Sequence, residues 1–194
     1  MRKALRLIAL LMAALALLGA SASPAVQTGP GIPPVNDDGP DALYPGNWVT
    51  FEDGFKLYLP SAWQPEALTS AERQAGLFYS AGNGGRDDLV GACAMGLGVG
   101  YMSAGALSTT EALAEDLRQA GCSEVEPCAL NGIPCVRFLR SRDNYRGVAF
   151  FHPAAPDYIL TVYIYPVGEA GTPQAELGRA VLDSLSPWQL NAAP

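Results

Sequence analysis

His152, at the end of an apolar run, is the only histidine among the 194 residues. Its isolation excludes multi-histidine metal sites, and a Ser-His-Asp triad would have to be built on it without a recognisable nucleophile motif. Gly100-Tyr101-Met102-Ser103-Ala104-Gly105 sets its first glycine one residue too far from the serine for a nucleophile elbow. The carboxylate pairs Asp37-Asp38, Asp87-Asp88 and Glu115-Asp116 each have a solvated role in a tether, a turn or the wet face of a helix. Asn83 to Asp88 could offer oxygen ligands to calcium, but the spacing of an EF-hand loop is absent. Gly96 to Tyr101 is glycine-rich without the lysine of a phosphate loop or the helix-opening pattern of a dinucleotide site. No cofactor and no metal are implied. What remains is a small hydrolase built on His152 and an acidic residue, the one enzymatic alternative to a binding role.

Cys93, Cys122, Cys128 and Cys135 lie too far apart for C-x-x-C redox chemistry, and zinc would need closer pairs. In Cys128-Ala129-Leu130-Asn131-Gly132-Ile133-Pro134-Cys135 the Asn-Gly step favours a two-residue hairpin loop. Leu130 then faces Ile133, and Cys128 faces Cys135 on the same side of the ribbon, within reach of a disulfide. That register leaves Cys93 to pair with Cys122. Arg137, Arg140, Arg142 and Arg146 are the one cationic concentration. They suit a carboxylate or other anion on a partner, although pairing with local carboxylates is the preferred reading.

The chain ends set the setting for this chemistry. Arg2, Lys3 and Arg6 precede an uncharged apolar run from Leu7 to Leu18, and Ala20-Ser21-Ala22 follows as a small-x-small site. Residues 1–22 therefore read as a cleavable signal peptide, with cleavage before Ser23. Ser21 stands where a lipoprotein would need cysteine, so the expected product is secreted or extracytoplasmic and carries no lipid. Cleavage leaves nine cations against nineteen acidic residues, a net charge of −10, with Lys56 the remaining lysine. Such a body is repelled by phosphate backbones and anionic bilayers, which argues against nucleic-acid partners and against membrane binding after cleavage.

Residues 23–46 are a Pro/Gly-rich tether, too poor in apolar surface to offset the entropy of ordering. Residues 47–188 read as one domain, and 189–194 as a tail. Within the domain, Trp48 to Phe51 and Phe55 to Pro60 form a hairpin around Glu52-Asp53-Gly54. Leu77 to Tyr79 and Leu89 to Tyr101 follow as strands. Ser108-Thr109-Thr110-Glu111 has the form of a capping box opening a helix that runs to about Gly121, with Leu113 and Leu117 on its apolar face. After the Asn-Gly hairpin come strands over Val136 to Ser141, Tyr145 to His152 and Tyr158 to Pro166. The last is apolar on both sides and so must be covered on both. Thr172 and Pro173 open a final helix that ends before Pro187. Strands, helix, strands, helix is the order of an α+β domain whose antiparallel sheet carries helices on its faces.

Gly54-Phe55-Lys56-Leu57-Tyr58-Leu59-Pro60 with Trp63, the helix before Gly121, Asn131-Gly132-Ile133-Pro134, the closing apolar strand and Leu182-Asp183-Ser184-Leu185 together resemble the PsbP-like superfamily over about residues 48 to 187. The resemblance implies an α/β/α sandwich around an antiparallel sheet, used mainly as a protein-binding or accessory module. The four cysteines and the missing lipid site depart from its usual exported bacterial members. The expected function is thus an exported, non-enzymatic accessory domain binding a protein partner at the cell envelope or outside. A small-ligand-binding sandwich is a further alternative, requiring an accessible apolar pocket between sheet and helix.

Overall fold

In the hairpin Gly46–Phe51 (β1) and Phe55–Pro60 (β2), alternate residues go opposite ways. Phe51, Phe55, Leu57 and Leu59 are buried, while Lys56 and Tyr58 share the outer face with Trp48. The period of two thus makes one face of a small sheet apolar, and that face needs a partner. It finds one in a second, larger sheet: Phe51 stacks on Phe55 with ring centroids 4.5 Å apart, and Phe55 meets the edge of Phe150 at 5.5 Å. These contacts come from a computed structural model that describes residues 44–83 and 95–188.

The larger sheet contains Gln64–Pro65 (β3), Leu77–Gly82 (β4), Gly96–Ser103 (β5), Ser123–Leu130 (β6), Ile133–Arg140 (β7), Tyr145–Phe151 (β8) and Tyr158–Tyr165 (β9). Its order is β3-β4-β5-β9-β8-β7-β6, antiparallel throughout. A two-residue strand, Ser186–Pro187 (β10), joins the small sheet beside β2. Among the described residues three α-helices complete the fold: Ser70–Gln74 (α1), Thr110–Gln119 (α2) and Pro173–Asp183 (α3). This is an α+β fold dominated by antiparallel sheet. Among the described residues no helix is long and apolar enough to cross a membrane.

The two faces of the larger sheet are separated by strand alternation. Leu97, Val99, Val148, Phe150, Leu160, Val162 and Ile164 point to the side covered by the small sheet and by Val181, Leu182 and Leu185 at the end of α3. Val136, Phe138, Ala149 and Ile159 point the other way, against Leu113, Ala114 and Leu117 of α2. The central strand β9 is therefore apolar on both sides, as its sequence requires. Where α2 does not reach, Tyr163 and Tyr165 lie over Gly98 and Gly96 of β5 and leave no room for a Cβ there. Ring area over bare backbone explains why β5 tolerates its glycines.

Local signals set the element ends, with two departures from the sequence pattern. Thr109, not Ser108, caps α2: its hydroxyl accepts the Ala112 N–H at 3.1 Å. This shift puts Glu111 at the second helical position, too early to reach back and close a box. The full box occurs instead at α1, where Thr69 accepts from Glu72 N–H and Glu72 accepts from Thr69 N–H at 2.8 Å. Thr172 caps α3, with Pro173 as its first residue. At the other end of α3, buried Ser184 donates to the Val181 carbonyl at 2.6 Å and accepts the Tyr58 N–H at 2.8 Å. One hydroxyl so ties helix to hairpin. The predicted strand from Leu89 is described only from Gly96; Leu89 to Ala94 lie outside the described residues, as do the tether up to Leu43 and the proposed signal.

Candidate functional site

His152 sits just past β8, where the larger sheet meets the turn between β1 and β2. Its Nδ1 accepts backbone N–H bonds from Ala154 and Ala155, both at 3.0 Å. Two donors aimed at Nδ1 assign the ring proton to Nε2, which donates to Asp53 Oδ1 at 3.2 Å. Tyr101 of β5 donates its hydroxyl to the same oxygen at 2.5 Å. Burial first, then the bond to Asp53, holds the Tyr101 phenol well above its ordinary pKa, so it remains a donor. Phe78 stacks on Tyr101 with centroids 4.5 Å apart. Both imidazole nitrogens are thus taken by the fold, leaving none to activate a nucleophile. The constellation is a clasp between the two sheets. Its signal in the sequence was hidden, because Asp53 reads as an ordinary turn residue.

The Asn-Gly hairpin places Cys128 opposite Cys135, with Leu130 opposite Ile133. The two sulfurs approach to 3.1 Å, inside the contact distance of two thiols and outside the roughly 2.05 Å of a bond. The structure therefore holds no bond between Cys128 and Cys135 and none to Cys122, while Cys93 and its expected pairing lie outside the described residues. Burial, then the neighbouring Cys128 thiol, pushes the Cys135 thiol up to about 12. The thiolate is thereby disfavoured, so reduced native protein should alkylate at Cys135 far more slowly than unfolded protein. Air-oxidised protein should yield a Cys128–Cys135 linked peptide on non-reducing digestion. Recovery of both cysteines alkylated from oxidised, unfolded material would refute the link.

The four arginines do not form one patch. Alternation along β7 sends Arg137 to the α3 side of the sheet and Arg140 to the α2 side. Arg137 pairs with Asp183 of α3 at 2.7 Å, and Arg146 with Glu124 at 2.8 Å. Arg140 pairs with Asp143 at 2.7 Å and donates to the Tyr145 hydroxyl at 3.1 Å. Arg142 is exposed in the turn before β8. Local pairing therefore accounts for three of the four.

Arg137 and Arg146 meet a fifth arginine that the sequence pattern did not single out. Arg179, exposed on α3, lines with them a depression that also contains Glu124 and Asp183. Burial raises the Asp183 pKa, while Arg137 and Arg179 oppose the shift. Beyond Arg146 and Arg179 the depression continues as a shallow, open trough between α3 and the end of β9. Its other described walls are Met95, Ile164, Pro166, Val167, Gly168, Ala170, Gln174, Ala175 and Gly178, so two guanidiniums face it and no carboxylate lines it among the described residues. Gly178 brings α3 close: a Cβ there would lie 3.1 Å from Ile164 Cγ2 and 3.3 Å from Met95 Cε. Residue proximity in sequence could not have revealed Arg179, which reaches the trough only because α3 packs back across β9. Of the calcium reading over Asn83 to Asp88, all but Asn83 lies outside the described residues, and Asn83 Oδ1 accepts the Met95 N–H at 2.7 Å; among the described residues, no cluster of three His, Cys, Asp or Glu could hold a metal.

No family model matches the sequence, and no curated protein matches it. Among solved structures, a crystal structure of a protein from Bacteroides thetaiotaomicron VPI-5482 is similar over 70% of this chain, with 11% identity and a TM-score of 0.40. This chain spans 46% of the length of that one.

Proposed function

We propose that the chain is an exported, non-enzymatic accessory domain that binds a protein partner at the cell envelope or outside it, on an α/β/α sandwich of PsbP-like type. Helices on opposite faces of the antiparallel sheet support the sandwich. The engagement of both His152 nitrogens supports a binding role over hydrolysis. The observation that carries the reading is the arginine-flanked trough beside α3, a locally cationic recess on an acidic chain. Charge of that kind selects partners and sets the rate at which they dock.

Photo-cross-linking on the surface of producing cells tests it, with wild-type protein compared with Arg179→Glu and Arg142→Glu. Both substitutions reverse an exposed charge, so neither should alter the thermal melt by more than about 0.5 kcal/mol. A discrete partner band lost in Arg179→Glu and kept in Arg142→Glu is expected. Equal bands in all three proteins, or none, would overturn the assignment of the trough.

A further inference from the structure

We infer that the trough recognises the free carboxyl terminus of a partner polypeptide ending in an apolar residue, an inference that rests on the protein-binding reading above. The trough presents Arg146 and Arg179 at one end and Met95, Ile164, Val167 and Ala175 along its walls, with no carboxylate among its described lining residues and Glu124 and Asp183 in the depression on the far side of the two arginines. Arg146 spends part of its charge on Glu124 at 2.8 Å. Arg179 forms no ion pair within 4 Å of a carboxylate among the described residues, and Asp183 is the carboxylate on which its charge acts. A guanidinium not bound to a carboxylate, beside apolar walls, is matched by one carboxylate attached to one apolar side chain, because arginine holds a carboxylate through two parallel N–H bonds.

The trough is a shallow recess open on one side, so it can take a chain end while the rest of the chain leads away. The net charge of the sequence, −7, disfavours anionic partners elsewhere on the surface. A terminal carboxylate with an apolar neighbour carries the least charge that satisfies the arginines.

The test is ligand-observed NMR by saturation transfer, using N-acetyl-Ala-Ala-Leu as the free acid, the same peptide as the C-terminal amide, and N-acetyl-Ala-Ala-Asp amide. The free acid should show transfer to its leucine methyls, with binding at least about tenfold weaker for the leucine amide. Arg179→Glu should abolish the signal and Arg142→Glu should retain it. Equal binding of acid and amide, preference for the aspartate amide, or no transfer from the free acid would overturn the inference. If cross-linking still depends on Arg179 in that case, the partner-binding reading stands and only the terminal carboxylate falls. If cross-linking is indifferent to Arg179, the reading itself falls.

Discussion

Truncating Phe55 to alanine is expected to cost about 3–5 kcal/mol, the largest effect of any single substitution in the hairpin. Phe55 has no exposed surface and stands between Phe51 of its own sheet and Phe150 of the other. Its removal leaves a cavity at the one place where both sheets and the aromatic stack converge, and the surrounding rings can collapse into it only in part. Against a typical total of about 5–15 kcal/mol, such a loss would bring the domain near its unfolding threshold. Urea titration followed by tryptophan fluorescence should show a large fall in midpoint with little change in slope. A fall of less than about 1 kcal/mol would mean that the two sheets do not depend on this contact.

Replacing Asp53 by alanine should be the next most damaging change, at roughly 2–5 kcal/mol, for a different reason. Its Oδ1 accepts from both Tyr101 and His152, so alanine strands two donors, each costing about 1–3 kcal/mol where water cannot reach it. Side-chain exposures of 10% for Asp53 and 13% for His152 show that solvent access is slight. Asp53→Asn keeps an acceptor oxygen and should lose about half as much. A double-mutant cycle between Asp53→Ala and His152→Ala should give a coupling of at least about 0.5 kcal/mol. Additivity within experimental error would dissolve the clasp. Because His152 acts here by holding the sheets together, its substitution should register in stability.

The hairpin register was legible because it is fixed locally. Asn131 and Gly132 take the positive φ values that a two-residue loop requires, 46° and 90°, and everything back to Cys128 and Cys135 follows from counting. The two-sided burial of β9 was equally open to reading from Ile159, Leu160, Val162 and Ile164. What could not be read was whatever depends on distant segments meeting. The strand pair at Gln64–Pro65 and the single turn of α1 are too short to show a period. The cap of α2 moved by one residue because Ser108 and Thr109 are both competent and backbone geometry decides between them. The arginines grouped by sequence were separated by pleat alternation, and Arg179 joined two of them through a helix packing on a strand near in space and far in sequence. Asp53 had no signal beyond turn preference until Tyr101 and His152 were placed around it.

The tip of the Asn-Gly hairpin does more than reverse the chain. The Asn131 side-chain amide donates to the carbonyls of Asp183 and Leu185, at 3.2 and 2.9 Å, and so closes the carboxyl end of α3. An asparagine followed by glycine is also the backbone arrangement most open to attack by the next amide nitrogen, since no Cβ shields it. Loss of ammonia there would turn a donor of two hydrogen bonds into a carboxylate facing two carbonyl oxygens, at the end of a helix that already carries partial negative charge. Chemical ageing at this step would therefore act at the seam between hairpin and helix, and alter the end of the helix that walls the trough.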